Sequence, residues 1–169
     1  PERNRFASLQ SGYHGDTLGA VAVGYLEEFH AAFRPLLFPV RQAESPCCGT
    51  CRYGLAPARC ELKCLESMRT ILTTHGSEFA AVIVEPLCQG AGGMRIHPAV
   101  YLRRLAELCR AQGVLLIVDE IAMGFGRTGS MFAFEQAGIA PDIVCIGKGL
   151  SGGALPISAT IVTRSIAET

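Results

Sequence analysis

The chain has 169 residues, 49% of them hydrophobic and 18% charged, and its 15 basic residues balance 15 acidic ones. That size and apolar content suit one domain with a buried α/β core, and the zero formal net charge gives no field that would draw nucleic acid or an acidic membrane surface. No apolar run reaches the roughly 18 residues of a membrane span and no signal peptide opens the chain; the cysteine usage described below fits a reducing cytoplasm. The sequence begins abruptly on proline, as a fragment of a longer protein would.

Phe6 to Gly12 reads as a short strand leading into Tyr13-His14-Gly15, after which Asp16 is placed to cap a helix starting near Thr17. From Phe29 to about Pro57 the prolines and isolated aromatics keep no steady period and predict an irregular excursion. Helical order returns over Glu61 to His75, with Leu62, Leu65, Met68 and Leu72 on one stripe and Gly76 at the end. Ala80 to Glu85 is a continuous apolar strand stopped by Pro86, and Gln89 to Gly93 a glycine-rich loop.

Pro98 suits the first turn of a helix running to Gln112, with Leu102, Leu105 and Cys109 inward and Gly113 at its end. Val114 to Val118 is the next buried strand. A short segment at Phe132 to Gln136 precedes the strand Ile143 to Ile146, and Pro156 to Thr163 supplies one more. Strands alternating with helices imply right-handed crossovers and a mostly parallel sheet flanked by helices, whose strand ends share one edge.

Those ends offer Glu85, Asp119 and Lys148 to one rim, where open parallel sheets place ligands. Lys148 is one of only two lysines, Lys63 being the other, and arginine cannot serve as an amine nucleophile near neutral pH. Taken singly, such residues are more often a helix cap, an ion-pair partner or a surface lysine. Taken together they are the types that pyridoxal phosphate chemistry needs: a lysine to form the Schiff base and move a proton, and an acid to keep the pyridine nitrogen protonated. Tyr13, on its turn, is placed to lie against a cofactor ring.

The stretches GYHGDTLGAVAVG, VEPLCQGAGGMRIHP, LLIVDEIAMGFGRTG and PDIVCIGKGLSGGALPISAT closely resemble the class III (fold type I) pyridoxal phosphate aminotransferases. The resemblance covers nearly the whole chain. It implies that residues 1–169 are part of the large cofactor-binding domain, with a cysteine-rich irregular insertion around 41–64. It also implies that pyridoxal 5'-phosphate is the cofactor, that Lys148 is the Schiff-base lysine, that Asp119 is the partner of the pyridine nitrogen, and that Tyr13 packs on the ring. Tyr13 and Glu85 are implied to meet substrate; His14 is read as structural and Arg127 as a loop stabiliser. Ala122 stands where ω-amino acid members carry a glutamine that reaches the cofactor, and Met123 replaces the usual threonine.

With that alanine, the chain resembles the branch of biotin synthesis, which moves an amino group from S-adenosylmethionine to 8-amino-7-oxononanoate to give 7,8-diaminononanoate. An ornithine or 4-aminobutyrate aminotransferase is the alternative. A homodimer is implied by the fold type. The family's phosphate-cradling turn and a partner-subunit phosphate contact are expected outside these residues, so the fragment alone is expected to be inactive.

Of the eight cysteines, Cys88, Cys109 and Cys145 sit in apolar or helical contexts, where a thiol packs as a small hydrophobe in a reducing compartment. Cys47, Cys48, Cys51, Cys60 and Cys64 crowd one segment. Cys48-x-x-Cys51 and Cys60-x-x-x-Cys64 have spacings that a tetrahedral zinc could use, which leaves a zinc-stabilised non-catalytic module as a further alternative. Cys47 blurs that register, Cys64 falls on a helix-like stretch, and no metal is expected.

Overall fold

Apolar runs joined by amphipathic helices determine the layers. In the computed structural model, which describes residues 3–56 and 60–169, the strands are β1 (Arg5–Leu9), β2 (Arg41–Ala43), β3 (Phe79–Val84), β4 (Cys88–Gln89), β5 (Arg95–Ile96), β6 (Leu115–Asp119), β7 (Ile143–Ile146) and β8 (Ala159–Val162). The helices are α1 (Leu18–Val23), α2 (Glu27–His30), α3 (Glu66–His75), α4 (Ala99–Gln112) and α5 (Arg164–Ala167). Six strands form one sheet in the order β2-β1-β3-β6-β7-β8, and β4 pairs with β5 in a small hairpin.

The expected mostly parallel α/β sheet is what forms: β2, β1, β3, β6 and β7 run parallel. The last strand departs from a right-handed crossover. β8 returns antiparallel on β7, and every one of its residues is exposed. The central strand β3, Phe-Ala-Ala-Val-Ile-Val, is buried almost throughout because helices and neighbouring strands cover it. Phe79, Val82 and Val84 pack with Met68 and Leu72 of α3 and with Tyr101, Leu102 and Leu105 of α4. Removing each such leucine from water contributes about 1.5–3 kcal/mol.

Several boundaries shift for local reasons. β1 stops at Leu9, where the Gly12 N–H turns back to its carbonyl at 3.2 Å. Thr17, not Asp16, is the residue before α1, and it makes no side-chain cap bond. The predicted irregular excursion contains α2, a 3₁₀ turn at Ala31–Leu36 and the edge strand β2, while Pro57 lies outside the described residues. The predicted helix from Glu61 begins only at Glu66, after a 3₁₀ turn at Lys63–Leu65, because Leu62 takes a left-handed φ of 56°. Pro98 sits at the N-cap of α4 rather than inside it, and Gly113, with φ 61°, ends that helix in the left-handed conformation. Among the described residues no helix is long and apolar enough to cross a membrane.

Candidate active site

Register brings the strand ends together. Val84 pairs with Val118, so Glu85 follows β3 at the level where Asp119 closes β6, and Asp119 itself pairs with Cys145 of β7. Lys148 follows on the same edge, three residues along the chain. With Tyr13, His14, Gly15, Ala91, Ile121 and Ala122, these side chains line a cavity of about 230 Å³. All the residues that the sequence singled out for this site, Tyr13, Glu85, Asp119, Ala122 and Lys148, are therefore on one wall or another of it.

Asp119 is the most closely held. It is 4% exposed, its Oδ2 accepts a hydrogen bond from His14 Nδ1 at 2.8 Å, and its Oδ1 accepts one from the Ile121 N–H at 3.1 Å. Both oxygens keep spare acceptor capacity, since a carboxylate offers about four lone-pair positions. His14 is therefore structural in a specific sense: it orients the aspartate. Nothing in its sequence neighbourhood shows this, because the two residues are 105 positions apart.

Glu85, 4% exposed, uses its two oxygens as acceptors for the backbone N–H groups of Tyr13 at 3.1 Å and Gly90 at 2.9 Å. Burial pushes its carboxyl up from the ordinary range, and those N–H groups pull the other way. Glu85 thus ties the Tyr13 turn to the glycine-rich loop while facing the cavity. Tyr13 donates from its hydroxyl to Asp16 Oδ2 at 2.8 Å, which raises the pKa of that hydroxyl, burial adding to the effect. Asp16 is thus bonded to the aromatic of the site rather than capping α1.

Lys148 is exposed to the cavity and carries a left-handed φ of 41° at the start of a 3₁₀ turn, Lys148–Leu150. Such a backbone costs a non-glycine residue about 1–3 kcal/mol and gathers at functional sites. The next residue cannot carry a side chain, since a Cβ on Gly149 would lie 2.8 Å from the Phe125 ring. Packing against Phe125 is what that glycine permits. Arg127 is exposed on the same loop as Phe125.

The cysteine segment lies apart, around a second cavity of about 140 Å³ lined by Cys47, Cys48, Cys51, Cys60 and Cys64 with Glu44, Lys63 and Arg95. All eight thiols are free. Burial pushes Cys64 up to about 11 and Cys109 up to about 12. Among the described residues no three His, Cys, Asp or Glu side chains are gathered as a metal-holding group.

The model of the aminotransferase class-III family matches residues 1–169. The chain belongs to the class-III aminotransferases. The adenosylmethionine-8-amino-7-oxononanoate aminotransferase of Geobacter sulfurreducens is 48% identical to this class-III chain over 98% of its length and 37% of that protein. The enzyme of the same name from Methanocaldococcus jannaschii is 41% identical over 97% of the chain and 38% of that protein. The crystal structure of an M. jannaschii enzyme of that name aligns with a TM-score of 0.85 at 40% identity, over 98% of the chain and 36% of that structure. An amine transaminase from an uncultivated Pseudomonas species, in its PLP-bound form, aligns with a TM-score of 0.90 at 37% identity, over 98% of the chain and 38% of that structure. This class-III chain spans about 37% of the length of such a curated relative.

Proposed function

We propose that the full-length protein is an aminotransferase that uses pyridoxal 5'-phosphate to move an amino group from S-adenosylmethionine to 8-amino-7-oxononanoate, giving 7,8-diaminononanoate. The observation that carries this reading is the meeting of Lys148, Asp119 and Tyr13 on one cavity, with Asp119 fixed by His14. The names of the similar proteins supply the two substrates.

The residues fit the cofactor by their chemistry. The set offers one primary amine, one buried carboxylate with acceptor capacity left, and one aromatic side chain. When bound, the cofactor supplies an electron sink for the pair left as a proton departs from the substrate carbon. Lys148 Nζ would hold the cofactor at its carbonyl carbon, with loss of water, and as a free amine the same nitrogen would take up and return the substrate proton. Asp119, held in one orientation by His14 and Ile121, presents negative charge to the pyridine nitrogen without having to reorganise. Tyr13 orients the ring, and Glu85 holds the Tyr13 turn against the Gly90 loop.

Ala122 on the cavity wall favours the biotin-type substrate pair, because it puts no polar reach where ω-amino acid enzymes have glutamine. A homodimer in the cytoplasm goes with this reading. A donor screen of the full-length protein tests it: S-adenosylmethionine is expected to support formation of 7,8-diaminononanoate. Turnover with ornithine or 4-aminobutyrate and none with S-adenosylmethionine would replace this reading by the ω-amino acid one.

A further inference from the structure

Behind Tyr13 the site holds a buried polar atom that the chemistry above does not use. His30, the last residue of α2, is 2% exposed and is enclosed by the rings of Tyr13, Tyr25 and Phe29. Its Nδ1 accepts a hydrogen bond from the Leu26 N–H at 3.0 Å. A neutral imidazole that accepts at one nitrogen carries its proton on the other, so this network assigns a donor to Nε2. That donor is buried and has no hydrogen-bond partner.

One acceptor lies just beyond reach. Asp16 Oδ1 is 3.5 Å from His30 Nε2, and the Asp16 side chain is 76% exposed. Its other oxygen already accepts from the Tyr13 hydroxyl at 2.8 Å. The Tyr13 ring in turn lies nearly parallel to the His30 ring, with centroids 6.0 Å apart and planes 12° from one another. His30 therefore faces Tyr13 with its ring, and its Nε2 lies 3.5 Å from one oxygen of the carboxylate whose other oxygen Tyr13 already holds. A leucine or phenylalanine could fill the same space without leaving a donor orphaned; only a side chain that donates gains from this arrangement.

We infer that His30 is a positioning residue, which closes its Nε2–H onto Asp16 when the cavity is filled and so fixes the ring and hydroxyl of Tyr13 against the bound group. The inference rests on the aminotransferase reading of the cavity. It adds a residue outside the cavity lining, on an element other than those that carry Lys148 and Asp119.

The test uses full-length protein with pyridoxal phosphate and compares His30→Leu, His30→Gln, Asp16→Asn and the double variant His30→Leu/Asp16→Asn. His30→Leu keeps the volume and removes the donor, whereas His30→Gln retains an amide donor. The expected result is a fall in kcat of about tenfold for His30→Leu, the factor that about 1.4 kcal/mol represents, with a changed visible circular dichroism band of the bound cofactor and substantial recovery of both in His30→Gln. The double variant is expected to be no slower than Asp16→Asn, because groups acting in series do not add.

Wild-type kcat and dichroism in His30→Leu, or effects that multiply in the double variant, overturn the inference. If His30→Leu does not fold, failure of His30→Gln to restore the wild-type dichroism overturns it as well. Lys148→Ala is run alongside: turnover that survives this change refutes the aminotransferase reading and takes the inference with it, whereas lost turnover with an indifferent His30 refutes the inference alone.

Discussion

Replacing Asp119 by asparagine separates what this carboxylate does for the fold from what it does for the reaction. The substitution keeps the shape. The Oδ1 of the new amide can retain the bond from the Ile121 N–H, 3.1 Å in the native chain, while its NH₂ donates to His14 Nδ1, 2.8 Å from the native oxygen, once that ring switches tautomer. Both native contacts of the carboxylate are then retained, and at the Asp119 position the fold loses the difference between a charge-assisted and a neutral hydrogen bond, about 1 kcal/mol. In a domain of this size that lowers Tm by about 2–4 °C, and in the longer full-length protein by less.

On the proposed reading the reaction loses more, because the negative charge at the cavity wall is gone. A hydrogen bond to a charged group is worth about 1.5–3 kcal/mol. At about 1.36 kcal/mol per factor of ten, kcat should fall by about 10- to 160-fold. Steady-state kinetics and thermal melts of full-length Asp119→Asn measure both quantities. A kcat within about twofold of wild type would refute the role given to Asp119, and a melt lowered by much more than a few degrees would refute the claim that asparagine leaves the local network intact.

Two further predictions concern stability. A Cβ on Gly92 would collide with the Ser11 carbonyl oxygen, a backbone atom that cannot swing away, whereas one on Gly49 meets nothing within 4 Å. Gly92→Ala should therefore cost about 1–3 kcal/mol in denaturant titration and Gly49→Ala less than about 0.5 kcal/mol; equal effects would contradict this account of the loop packing. His97 is buried, its Nδ1 lacks a partner, and burial pushes its pKa below the ordinary 6.5. A base with a lowered folded pKa contributes stability that is present above 6.5 and is lost as pH falls toward the folded value. The slope of stability against pH below that point should be smaller in His97→Gln than in wild type, and identical slopes would show that His97 is not the group responsible.

Much of the scaffold was legible in the sequence because burial leaves a periodic mark. Phe79–Val84 and Leu115–Asp119 are apolar runs of strand length, and Leu102, Leu105 and Cys109 recur at helical spacing. β2 was not legible: it is three residues long, Arg-Gln-Ala, and only Ala43 is buried. The antiparallel direction of β8 was not legible either, since Ala-Thr-Ile-Val has the same composition whichever way it runs.

The site divides along the same line. Lys148, Asp119 and Tyr13 stand at strand ends and turns that the pattern itself marks, so their meeting followed from parallel topology. The His14 bond to Asp119 and the Tyr13-Asp16-His30 arrangement depend on side-chain directions that no local period encodes. Asp16, Ser/Thr-like in its capping ability, was drawn toward a helix start by its position and away from it by a nearby phenol.

On the proposed reading, Lys148 is the amine on which the chemistry turns. Full-length protein loaded with pyridoxal phosphate, reduced with borohydride and digested, should carry a pyridoxyl mass on the peptide containing Lys148 and not on that containing Lys63, and Lys148→Ala should lose both the label and turnover. A label on Lys63, or turnover that persists in Lys148→Ala, would contradict the account.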